Sequence, residues 1–283
     1  TTPAEYNFTP ISNQTLYGKT SKYPLLPNSA ITMSGSAITN INTTTADFAI
    51  PAKVGTVNVT TLQGCCKNNT SIKNVEIPYG VTNIIHVDNY GAFERCTSLT
   101  SITIPSSVTS IGEWAFSFCT SLAGITIPSS VTSIGDYAFL GCTKPATVTF
   151  EPNSQLASIG HQAFSNCTSL ASITIPSSIT SIGSSAFSGC PALTSMTIGD
   201  AQNGSALASV GMAAFLFKNS AECTLTYYGT DAKFLSLTNY SADSGTAFSL
   251  YSPLSGPSYK IKLVIIDGDS TIYRYPVSRD GVM

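Results

Sequence analysis

The sequence predicts a solenoid: a right-handed coil of α/β-type repeats, with short parallel strands along one face and short helical turns opposite. Three observations predict it. Cys96, Cys119, Cys142, Cys167 and Cys190 recur at spacings of 23, 23, 25 and 23 residues. Between them nearly the same segment returns, as "SITIPSSVTSIGEWAF", "GITIPSSVTSIGDYAF" and "SITIPSSITSIGSSAF". Fixed self-similarity of this length marks an array whose units bury their apolar sides on one another. The third observation is compositional: apolar residues are 42% of the 283-residue chain but charged residues only 10%, against about 25% in an ordinary soluble domain. The polar surface is therefore built from Ser, Thr, Asn and Gly.

Each element follows from one repeat. Ile102-Thr103-Ile104 alternates apolar and polar, the period of a strand with one buried face. Pro105 has no N–H to donate, so it ends the ladder and turns the chain. Val108 and Ile111 point inward again, and Gly112 permits a corner that a side chain would obstruct. Ala115, Phe116, Cys119 and Leu122 then recur at helical spacing, which predicts a helical turn as the opposite wall. Phe93, Phe116, Phe139, Phe164, Phe187 and Phe215 align as a phenylalanine spine. Degenerate units flank the clean ones. Upstream, Ile50-Pro51 and Leu62 keep part of the pattern; downstream, "CTLTYYGTD" reads as a last strand, and atypical end repeats are expected of an open array. Residues 1–30 carry prolines and no sustained period, and read as an extension or linker. Residues 31–228 form the solenoid. Residues 229–283 lose the repeat and read as a β-hairpin cap or the start of a small β unit, joined by "NYSADSGTAFSLYSPLSGPS".

Eight cysteines invite a disulfide reading. Five share one repeat position on the core side, where a free Cys behaves as a small hydrophobe. Asn69 stands in the same register, an odd substitute for half a bridge, so buried thiols are the better reading. Cys65-Cys66 are expected at a degenerate Ala-Phe position.

The residues give little support to catalysis. His161 aligns with Glu113, Asp136 and Ser184 at a variable, solvated position. His86 lies near Asp88, but no nucleophile motif accompanies the pair. No phosphate loop, H-E-x-x-H or EF-hand spacing occurs. "DGDST" at 267–271 suggests calcium, yet it separates two strand-like runs, and an Asp-Gly hairpin turn explains it better. The chain is read as no enzyme, with no cofactor and no metal. A net charge of −2 provides no field for nucleic acid, and no apolar run reaches the roughly 20 residues of a membrane span. No signal peptide is visible in "TTPAEYNFTP".

What faces water is more informative. On the strand face the outward residues are Asn74, Glu76, Ser101, Thr103, Thr126, Thr147, Thr149, Ser172, Thr174, Ser195 and Thr197, with Gly124 interrupting one row. Thr is also simply a good exposed strand residue, so this sheet reads either as neutral scaffold or as a contact surface. On the opposite edge Trp114 and Tyr137 hold equivalent positions and make a second candidate patch, since aromatics are enriched at interfaces.

"LTSITIPSSVTSIGEWAFSFC" at 99–119, with its copies at 122–142 and 170–190, resembles the BspA-like leucine-rich repeats of bacterial and protist surface proteins. The resemblance spans roughly 31–228. It departs from the commoner leucine-rich repeat, which places Asn or Cys where this chain has Ser107, so no asparagine ladder is assumed. The resemblance implies a curved solenoid, secreted or at the cell surface with its signal or anchor removed. It further implies adhesion or recognition and names no ligand; the leading expectation is a protein or extracellular-matrix ligand, bound through the concave strand face. A glycan-binding module and a passive spacer are the alternatives, and a monomer is expected.

Overall fold

The computed structural model describes residues 21–88, 90–145, 147–215, 223–237, 261–268 and 270–274. Most of the expected N-terminal extension (1–20) and the Ser/Gly/Pro-rich connection at 239–258 lie outside them.

The chain coils as a solenoid with two parallel sheets. One sheet stacks the "SIT" strands. Asp47–Ala49, Asn74–Glu76 and Ser101–Thr103 form a three-stranded part. A seven-stranded part begins at Gly124–Ile127 and continues through Thr147–Phe150, Ser172–Ile175, Ser195–Ile198 and Cys223–Tyr228. It ends with Ile261–Asp267, parallel to Cys223–Tyr228, and the antiparallel Ser270–Arg274. The second sheet, nine-stranded, includes four two-residue Ser-Ile pieces: Ser110–Ile111, Ser133–Ile134, Ser158–Ile159 and Ser181–Ile182 lie in register. At the N-terminal end Leu25 bridges to Ala49 and Leu26 is buried. In the expected hairpin Asp267 pairs with Ser270, and Gly268 lies in the left-handed region at φ 57°.

The third wall corrects the sequence expectation, because the Ala-Phe segments are not helical turns. The i→i+3 bonds that give them helix-like spacing are present: Ser117 N–H donates to the Trp114 carbonyl and Cys119 N–H to the Phe116 carbonyl, each at 3.1 Å. The intervening amides point along the solenoid axis instead. Trp114, Phe116 and Phe118 donate to the Asp136, Ala138 and Leu140 carbonyls of the next rung at 3.0, 2.8 and 2.7 Å. Left-handed backbone at Trp114 (φ 57°) and Phe118 (φ 55°) redirects the peptides. A non-glycine residue there costs on the order of 1–3 kcal/mol, offset by hydrogen bonds that a helix would have kept within one rung. Among the described residues the single α-helix is Asp231–Leu237, beyond the repeats. The corners depend on close approach: a Cβ on Gly135 would lie 2.7 Å from the Glu113 nitrogen of the preceding rung.

Between the walls runs one continuous core. The phenylalanine rings stack face to face with centroids 5.1–5.4 Å apart from Phe93 to Phe187, and 6.3 Å at the last step to Phe215. The spacing matches the roughly 4.8 Å rise between parallel strands, so ring stacking and backbone pairing share one period.

All eight cysteines are free and buried. Each regular thiol donates backward to a Phe carbonyl: Cys119 to Phe93 and Cys142 to Phe116 at 3.1 Å, Cys190 to Phe164 at 3.2 Å, Cys167 to Phe139 at 3.4 Å. Cys96 donates to the Cys66 carbonyl. Cys66 N–H bonds to the Ala92 carbonyl just as Phe116 N–H bonds to that of Ala138, so Cys65-Cys66 do fill an Ala-Phe position. Asn69 performs the same task with its amide, donating to the Thr43 carbonyl at 3.0 Å. A thiol and the half-buried Asn69 amide interchange here because each supplies a donor to a carbonyl of another rung.

Two predictions follow from this packing. Phe139 is stacked on both sides and 2% exposed. Phe139→Ala is expected to cost about 3–5 kcal/mol in urea unfolding, and a loss under about 1 kcal/mol would contradict the stack. The second concerns alkaline pH. Burial pushes the Cys142 thiol from its ordinary 9.0 up to about 12, so in this window the unfolded chain ionises and the folded one does not. Stability is complete below about pH 9 and falls as pH rises toward 12, by about 1.4 kcal/mol per pH unit per thiol. Cys142→Ala is expected to flatten that decline by one thiol's share in urea melts run across the range under reductant.

Candidate functional site

Ser and Thr are distributed over two environments that composition does not distinguish. At the corners their hydroxyls donate to a carbonyl of the preceding rung. Thr100 bonds to Lys73, Thr132 to Thr109 and Thr180 to Ala157, at 3.0, 3.1 and 2.8 Å. Ser107, Ser130 and Ser178 do the same to Val81, Val108 and Leu156 at 2.7–2.8 Å. These hydroxyls tie rungs together.

The strand-face hydroxyls have no such partners. Ser101, Thr103, Thr126, Thr147, Thr149, Ser172, Thr174 and Ser195 are exposed and Thr197 is half-buried. Among the described residues none of the nine makes a side-chain hydrogen bond. Strand register aligns them in two rows, Thr147, Ser172 and Ser195 in one, Thr126 beside Thr149 and Thr174 beside Thr197 in the other. Two expected members belong elsewhere. Asn74 is bonded to Asp47 at 2.6 Å and to Thr100 at 3.1 Å. Glu76 accepts from the Ser21 hydroxyl at 2.8 Å and the Lys22 amide at 3.0 Å, holding the N-terminal segment against the first rungs. Both side chains are committed to structure.

The strand ladder is interrupted within this face. No strand pairing joins Ser101–Thr103 to Gly124–Ile127, and the backbone bond at the junction is Ala123 N–H to the Thr100 carbonyl at 3.1 Å. Proline removes one of the two donors that close such junctions elsewhere. Later in the array the residue at the proline position reaches back: Glu151 N–H bonds to Ile127 and Gly199 N–H to Ile175, both at 3.0 Å. Those two junctions pair over four residues. Pro128 has no N–H for Ile104, and where Pro176 stands the pairing shrinks to Thr147 with Ser172. In the three-stranded part the donors run forward instead, Ile77 N–H to the Thr103 carbonyl at 3.1 Å. The junction at Pro128 receives neither donor and opens into a slot of about 380 Å³. Ile102, Ile104 and Ile125, 8%, 8% and 5% exposed, are among its lining residues. Its rim is Ser101, Thr103, Gly124, Thr126, Thr147 and Thr149, and Glu151 stands at one end.

The turn wall carries the second surface. Trp114 and Tyr137 stack at 4.1 Å, and His161 meets Tyr137 edge-on at 5.1 Å. Trp114 Nε1 donates to Glu113, whose other carboxylate oxygen lies 3.8 Å from His86. The ring faces of the pair are spent on each other, leaving their edges outward. Arg95 sits over the exposed Phe118 ring at 5.5 Å and Lys67 over Tyr90 at 3.6 Å. Among the described residues no group of three His, Cys, Asp or Glu side chains is placed to hold a metal ion, and no helix is long and apolar enough to cross a membrane.

The profile of the BspA-type leucine-rich-repeat region matches in six copies, over residues 61–155 and 85–222. The chain belongs to that family. Solved structures resemble this BspA-type chain as well. A leucine-rich-repeat protein of T. pallidum is 21% identical, with 75% of this chain and 94% of that one covered and a TM-score of 0.45. A leucine-rich cell surface protein of Faecalibacterium prausnitzii is 25% identical over 67% of this chain and 66% of that one, with a TM-score of 0.44. The pneumococcal vaccine antigen PcpA is 19% identical over 70% of this chain and 62% of that one, at 0.50. No curated protein sequence matches the chain.

Pro128 and Glu151 are the residues of this site that sequence reasoning passed over, and Gly124 was read only as a gap in one row. Their signal was present: Glu151 and Gly199 replace the proline of the other repeats, and each such exchange restores a backbone donor.

Proposed function

We propose that this BspA-type repeat protein is a non-enzymatic recognition module, secreted or displayed at a cell surface, that binds a protein or extracellular-matrix partner through its strand face. One observation carries the reading. Corner hydroxyls such as Thr100, Ser130, Thr132 and Thr180 are bonded to a neighbouring rung, whereas those of the strand face are exposed and aligned, with no side-chain bond among the described residues. A neutral surface of this kind offers many weak polar contacts and a small desolvation cost per group, which suits a broad interface. The family resemblance supports the surface location. The Trp114–Tyr137 edge is the second surface in this reading, on the strength of its aromatic and cationic neighbours. Residues 31–228 act as the recognition solenoid, and the 229–283 unit closes its C-terminal end, supported by the pairing of Ile261–Asp267 with Cys223–Tyr228. The module works as a monomer. A passive spacer is the reading that remains if no ligand is found.

The test uses Ser172, Thr174, Ser195 and Thr197 together changed to Lys, with biolayer interferometry against immobilised matrix glycoproteins. Wild type is expected to bind at least one with micromolar affinity and the four-lysine variant at least tenfold more weakly, at an unchanged melting temperature. Absence of binding by wild type, or equal binding by both, would count against this surface.

A further inference from the structure

The slot at the interrupted ladder has a chemistry of its own. We propose that it binds one neutral sugar ring, a hexopyranose without a charged substituent, lying over the junction of the Ser101–Thr103 and Gly124–Ile127 strands. The inference rests on the strand face being the contact surface, and it assigns a small-molecule subsite within it.

Size and shape come first. At about 380 Å³ the slot is near the lower end of small-molecule sites, which run from about 300 to 1,000 Å³. It does not admit a peptide strand. Cα atoms of the two flanking strands come within 8 Å of each other, whereas a strand inserted between them needs about 9.6 Å, twice the ordinary spacing. An occupant must therefore lie on the slot, as a compact ring does.

Chemistry narrows the class. The lining is more polar than apolar, and Ile102, Ile104 and Ile125, on the core side of their strands, add only a little apolar surface beneath the hydroxyls for the C–H edge of a pyranose. The rim is hydroxyl, able to donate or accept as a polyol requires. Ile104 has a carbonyl that Pro128 cannot reach, so an acceptor faces the slot from the main chain. Glu151 adds a carboxylate whose Oε2 is fixed by the Ser129 N–H at 3.0 Å, which leaves Oε1 to take hydroxyl donors. Every strong group here accepts hydrogen bonds and none is cationic, so a ligand rich in O–H donors fits while phosphate, sulfate and uronate are repelled. Gly124 contributes as well. At the row position where other rungs carry Ser or Thr it has no side chain, and a Cβ there would lie 2.8 Å from the Thr147 hydroxyl oxygen.

The test is a titration of ¹⁵N-labelled full chain with the methyl glycosides of glucose, galactose, mannose and N-acetylglucosamine, followed by amide shifts. Glucuronic acid is the charged control. Saturable shifts confined to 101–104, 124–128 and 147–151 are expected for at least one neutral glycoside, with a Kd of the order of 1 mM. Glu151→Gln keeps the acceptor for Ser129 and is expected to weaken binding about tenfold or more. Pro128→Ala supplies the missing N–H to Ile104, and is expected to close the slot and abolish the shifts while the remaining spectrum and the melting temperature persist. No saturable shift, shifts on other rungs, tighter binding of the uronate, or equal binding by both variants would overturn the proposal. A matched glycopeptide run beside the free glycoside distinguishes a terminal glycan residue from a free sugar as the source. Since the four-lysine variant lies outside the slot, loss of matrix binding and loss of sugar binding are separately visible.

Discussion

Every wall of this solenoid depends on rungs meeting in strict register, so that each residue type lands on its own kind one rung away. Buried backbone groups must be bonded, and in a coil of short rungs there is little within a rung to bond to. The strands solve this by parallel pairing. The turn wall solves it by left-handed backbone at positions such as Trp114 and Tyr137, which sends alternate amides to the next rung. The corners solve it with Ser and Thr. Phenyl rings repeating at the same rise fill the space between. A period that drifted by one residue would reverse which side chains point inward, and the core and the hydrogen bonds would fail together.

This constraint explains the composition. A chain with so little charge stays polar on the outside by using hydroxyls, and most corner hydroxyls also close bonds that the repeat leaves open. Buried thiols belong to the same accounting, since each is a small apolar group with a weak donor, aimed at a Phe carbonyl in Cys119, Cys142, Cys167 and Cys190. Burial raises the Cys142 and Cys190 thiols to about 12, which keeps them protonated donors and poor nucleophiles. What the scaffold does not consume is the hydroxyl array of the strand face and the slot where one proline leaves the ladder open. The proposed recognition chemistry occupies what remains after the structural requirements are met.

The period, the phenylalanine spine, the buried thiols and the outward strand residues were legible in the sequence because each follows from a pattern within one repeat. Ile102-Thr103-Ile104 can be read without knowing what lies beside it. The helical turn was misread because Ala115, Phe116, Cys119 and Leu122 keep the same spacing in a helix and in stacked i→i+3 turns. Nothing about Trp or Phe as residue types announces positive φ. Glu76 looked like a free carboxylate because its partners, Ser21 and Lys22, are far away in sequence. The slot required a comparison between rungs: Pro128 matters only because Glu151 and Gly199 supply donors at equivalent junctions.

The division between structural and free hydroxyls is tested most directly by two sets of isosteric changes compared in urea unfolding. One set changes the corner residues Thr100, Thr109, Thr132 and Thr180 together to Val, removing four bonds to preceding rungs. The other changes Thr103, Thr126, Thr149 and Thr174 to Val on the strand face. The corner set is predicted to lose roughly 4 kcal/mol, about 1 for each hydrogen bond, and the strand-face set to lose nothing, since Val is at least as good in a strand. Equal losses, or a larger loss from the strand face, would contradict the account.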